Sequence, residues 1–152
     1  MVNDMIEKLI VKMIMIAAIL STNFVCNGGY GLEYFTVEQI MKDNLAINAP
    51  GIYYPDVDIG PDGVFVDYEC RSTDVFDMAD DIGVVIGAYY AVVEDNPRVG
   101  DLFATIRCYG REMGTFYCDK DWALEYNLDD EDEASQLIYK VLGTLEASPY
   151  VG

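Results

Sequence analysis

The chain has 152 residues, enough for one domain and too few for two of ordinary size. Nine basic residues against 27 acidic ones leave a formal charge of −18, while 52% of residues are apolar and 12% aromatic, so a packed core is expected. No histidine is present, which removes the commonest general base, the Ser–His and Cys–His pairs and histidine-ligated metal, and the acidity argues against nucleic-acid binding.

Residues 1–31 stand apart from the rest. Met13 to Leu20 is uninterrupted apolar, preceded by Lys8 and Lys12 and followed by Ser21, Thr22 and Asn23; a Gly-rich break, Asn27-Gly28-Gly29-Tyr30-Gly31, ends the segment. Three readings fit this layout. A basic start, an apolar run and then small polar residues describe a secretory signal peptide cut near Gly28. Retained as a helix, Leu9 to Cys26 would reach ~27 Å, close to the roughly 30 Å hydrocarbon core of a bilayer, and so would serve as an anchor. An amphipathic stripe of apolar residues at 5, 6, 9, 10, 13, 14 and 17 would instead dock on a membrane surface or a protein partner, with Leu9, Met13, Ile16 and Leu20 as the expected contacts.

Residues 32–152 read as a single α+β domain. Thr36-Val37-Glu38-Gln39 has the form of a capping box and opens a helix to about Ile47. Ile52 to Asp58 and Gly63 to Cys70 flank Gly60-Pro61-Asp62-Gly63 and predict a β-hairpin. Asp74 to Asp95 predicts a long helix, with acids in its first half, an apolar second half and a stop at Asn96-Pro97. Ala79, Gly83, Gly87 and Ala91 recur along it every four residues, a small-residue stripe that suits close packing inside the domain or a homo-oligomer contact through Gly83 and Gly87. Strands at about Asp101 to Cys108 and Gly114 to Cys118 form a second hairpin, joined through Tyr109 to Met113. A short turn of helix capped by Asp119 carries Trp122, Leu124 and Tyr126. The acidic run Asp129 to Glu133 starts a last helix with Leu137, Ile138, Val141, Leu142 and Leu145 on its core face. Two hairpins in one antiparallel sheet, in ββαββα order with helices packed on one face, is the simplest layered arrangement of these parts.

Constellations that carry chemistry are few. Asp56, Asp58, Asp62 and Asp67 sit at offsets that resemble a calcium loop, although Pro61 stands where such a loop needs glycine, so a solvated turn is the stronger reading. Four cysteines lack C-x-x-C spacing, which leaves zinc ribbons and thioredoxin chemistry unsupported. In an oxidising compartment Cys108 and Cys118 would pair if the turn were centred on Met113, which would set them directly opposite; in a reducing one they would be small core residues. Neither a glycine-rich phosphate loop nor a catalytic constellation is found, so no cofactor and no enzymatic activity are expected.

Gly114-Thr115-Phe116-Tyr117-Cys118, then Trp122 and Tyr126, then Lys140-Val141-Leu142 with Thr144, resembles a pattern in small uncharacterised archaeal proteins with signal-like N-termini. The likeness covers about the last 50 residues and implies export or membrane association. It transfers no site residues. The sequence therefore predicts a non-enzymatic, membrane-associated or exported accessory protein, a small subunit of a membrane or surface complex. Its partner, protein or membrane, would be met through residues 1–26. An acidic cytosolic chaperone or adaptor is the alternative.

Overall fold

The computed structural model describes residues 34–48 and 51–148. The expected contacts at Leu9, Met13, Ile16 and Leu20 therefore lie outside the described residues. So does the apolar leader as a whole.

Helix α1 (Tyr34–Asn48) begins two residues ahead of Thr36, and presents Val37, Met41 and Leu45 as one buried stripe. Strands β1 (Ile52–Gly60) and β2 (Gly63–Cys70) form the first hairpin around Pro61 and Asp62. Helix α2 (Val75–Asp95) follows, with the Asp74 carboxylate accepting from the Asp77 N–H at 3.4 Å. Strands β3 (Leu102–Cys108) and β4 (Arg111–Cys118) form the second hairpin. Helix α3 (Lys120–Glu125) is capped by the Asp119 side chain, and helix α4 (Glu131–Leu142) by that of Asp130, which accepts from two backbone N–H groups. A two-residue strand, β5 (Glu146–Ala147), closes the described chain against β4.

The five strands lie in sequence order, but the sheet is mixed rather than antiparallel: β2 and β3 run parallel, from Val64 beside Leu102 to Glu69 beside Arg107. The cause is the length of α2. Its 21 residues cover about 31 Å, long enough to carry the chain back past the whole sheet, so β3 starts at the end where β2 started. Around that return the backbones pack tightly. The Gly100 N–H donates to the Gly60 carbonyl at 3.2 Å, and a Cβ at Gly100 would lie 2.7 Å from the Gly63 nitrogen.

Alternation divides each strand. Val64, Val66, Tyr68 and Cys70 of β2, Leu102, Ala104, Ile106 and Cys108 of β3, and Phe116 and Cys118 of β4 point inward and are buried with α1 and α2. Ala79, Gly83, Gly87 and Ala91, the small-residue stripe of α2, are buried as well. On α4, Leu137, Ile138 and Val141 are buried as expected, whereas Leu145 lies beyond the helix and is exposed.

Candidate functional site

The outward face of the sheet is where the unexplained surface lies. Phe65 on β2, Phe103 on β3 and Tyr117 on β4 are direct register partners and form one row across three strands. Phe65 stacks on Phe103 with centroids 5.4 Å apart and ring planes 16° apart; Phe103 meets Tyr117 at 6.5 Å. Trp122 extends the row from α3, stacked on Tyr117 at 5.7 Å, and Lys140 Nζ of α4 lies 5.3 Å from the Trp122 ring centroid. Each of the three strand aromatics is exposed by between 42% and 45%, a large apolar side chain half in water where the strand's other parity is fully buried. Thr144 holds the Tyr117 end in place: its Oγ1 accepts from the Tyr117 N–H at 3.0 Å and donates to the Val141 carbonyl at 2.7 Å.

This row forms one wall of an open groove of about 580 Å³. Next along the strands comes a polar row, Asp56 beside Asp67 and Thr105 beside Thr115. Asp67 is neutralised by Arg107, whose Nε donates to both carboxylate oxygens at 2.9 and 3.0 Å, and Asp56 by Lys42 at 3.1 Å. The carboxylates of Asp58 at the β1 side and Glu146 at the β5 side make no hydrogen bond or ion pair with another described side chain. Together they set a negative charge at either end of the groove.

Of the acids expected to resemble a calcium loop, Asp56, Asp58 and Asp67 line the same groove while Asp62 sits out in the hairpin turn, and Asp56 and Asp67, side by side, each have their own cation. Among the described residues no group of acids or cysteines could hold a metal.

The expected Cys108–Cys118 pairing is also corrected. The turn is centred on Tyr109 and Gly110, with φ of 52° and 74°, not on Met113, so Cys108 pairs with Arg111 and Cys118 with Leu102. The two cysteines end up at opposite ends of the hairpin, ~20 Å apart at ~3.3 Å per strand residue. The neighbour of Cys108 is Cys70, whose carbonyl accepts from the Cys108 thiol at 3.5 Å. Cys70, Cys108 and Cys118 are all free and buried. Burial is the main cause that pushes the Cys70 thiol up to about 12, with Cys108 second, and burial likewise pushes Cys118 up to about 12. Thiols held so firmly protonated are poor nucleophiles.

A second hollow, of about 500 Å³, lies at the far end of the sheet between Tyr53, Tyr54, Arg71 and Tyr109. Arg71 lies 3.9 Å above the Tyr53 ring, and both Tyr54 and Tyr109 have positive φ and are more than 80% exposed.

The aromatic row escaped the sequence reading. The outward parity of Phe65, Phe103 and Tyr117 is visible in the sequence, since each is flanked by inward apolar residues, but their meeting depends on the parallel join of β2 and β3.

Among the described residues the chain is a mixed α/β domain, a five-stranded sheet with helices and an aromatic row along one sheet face, and that defines the class of molecule. A family model described as a domain of unknown function, DUF8159, matches residues 44–150, and the chain belongs to that family. No curated protein and no solved structure matches the chain.

Proposed function

We propose that this protein is a non-enzymatic accessory component that acts through protein–protein contacts made by its open sheet face. The observation that carries the reading is the stacked row Phe65–Phe103–Tyr117, half exposed above a parallel strand pair. Parallel pairs are ordinarily covered on both faces, and aromatic clusters at the centre of a contact carry much of its binding energy. The apolar leader supports a place at, or passage across, a membrane. Among the described residues no helix is long and apolar enough to cross one.

The test replaces Phe103 by Asp in the full-length chain in its native host. Phe103, on the central strand, packs against two rings, so the change is expected to cost about 1–3 kcal/mol, and circular dichroism checks that the variant is still folded before its complex is scored. The wild-type chain is expected to run as a complex on native gels and to sediment with membranes, and the Phe103→Asp chain to run alone. A wild-type chain recovered as a free monomer in the soluble fraction overturns the reading. A soluble complex that Phe103→Asp dissolves would favour the adaptor alternative instead.

A further inference from the structure

We infer that the groove's occupant is a cationic amphipathic helix of a partner polypeptide; this rests on the contact-surface reading above and names what that surface binds. Charge complementarity decides the sign. Asp58 ends the aromatic row beside Phe65, Glu146 ends the polar row beside Thr115, and no described cation answers either of them. A second copy of the chain would bring a further charge of −18 to an already acidic rim, and an anionic lipid surface or a nucleic acid would be repelled in the same way. Shape decides the rest. The three rings stand on adjacent strands about 4.8 Å apart, close to the 5.4 Å pitch of an α-helix, so apolar side chains at i, i+4 and i+7 of a helix crossing the strands would meet successive rings. The floor beside the row is polar, with Thr105, Thr115 and the Asp67–Arg107 pair. Only one narrow stripe of the occupant can therefore be apolar. Lysines or arginines on the flanks of that stripe would reach Asp58 at one end and Glu146 at the other.

Trp122 is the chain's single tryptophan and stacks at the end of the row, so its fluorescence reports occupancy. The full-length protein in mild detergent is titrated with three helical peptides of identical length, each with Leu at i, i+4 and i+7. Their flanking residues are lysine, glutamate or glutamine. The lysine peptide is expected to bind and shift Trp122 emission, with affinity that falls as salt rises. Asp58→Asn with Glu146→Gln should weaken it about five- to tenfold, and Phe103→Ala by roughly tenfold or more. Neutralising Asp77 and Glu131, remote from the groove, should leave it unchanged. Equal binding of the glutamine peptide, or indifference to Asp58→Asn with Glu146→Gln, overturns the cationic occupant while the contact surface stands. Failure of all three peptides overturns the helix. Should the native complex also survive Phe103→Asp, the contact surface itself falls. A concentration-dependent dimer that Phe103→Ala abolishes would give the face to a second copy and overturn the proposal in that way.

Discussion

Tyr68 lies wholly inside the domain, and its hydroxyl has no hydrogen-bond partner among the described residues. Burial, and then the nearby Asp81 carboxylate, push its ionisation well above the usual tyrosine range, so the phenol is neutral and simply unmatched. An unmade buried hydrogen bond costs about 1 kcal/mol or more. Tyr68→Phe keeps the ring and removes the unmatched oxygen, so it is expected to stabilise the fold by about 1 kcal/mol. Urea denaturation measures this as a higher midpoint at unchanged slope; a clear loss of stability would show that the hydroxyl is bonded. Tyr89, by contrast, donates to the Gly100 carbonyl at 2.9 Å and pins α2 to the return of the chain. In the sequence the two tyrosines look alike. Which one finds an acceptor is decided by where the crossover brings Gly100.

The elements themselves were largely legible. Both hairpins, the long helix that stops at Asn96, the Asp119 cap and the acidic start of the last helix follow from turn residues, periodicity and capping side chains, all of them local signals. The direction of β3 relative to β2, the turn at Tyr109-Gly110 and strand β5 were not. The first needs the length of α2 measured against the sheet. The second places φ > 0 on a tyrosine, which no propensity favours. The third is two residues held by pairing to Gly114 and Thr115. The candidate site shares this limit, since its residues are readable one by one and their row is not. Strand order also has a chemical consequence. Cys70 and Cys108 end adjacent strands, which lie about 4.8 Å apart, and the Cys108 thiol reaches the Cys70 carbonyl, whereas Cys118 is far away. On slow exposure to oxidised glutathione, peptide mapping should find any internal link among these three between Cys70 and Cys108. A Cys108–Cys118 link from folded protein would contradict the register.

At the scale of the whole molecule, charge is the largest uncompensated quantity. With 27 acids and nine bases, self-repulsion opposes the compact state. Salt shortens its reach from ~30 Å at 0.01 M to ~3 Å at 1 M. Raising NaCl over that range should therefore stabilise the chain by about 1–2 kcal/mol, or roughly 5 °C in melting temperature. Calorimetry checks this, and a melting temperature indifferent to NaCl would mean the acids are balanced by contacts as specific as those of Asp56 and Asp67. Strand β1 adds a safeguard at the margin of the sheet. Pro55 within it offers no N–H, and the register breaks between Tyr53 and Asp56. A stray strand arriving at that border would find a bent, carboxylate-studded ladder lacking a donor, so fibre growth by edge-to-edge stacking is obstructed there. On the β1 side the molecule can thus leave an aromatic face open without inviting its own kind to polymerise along the sheet.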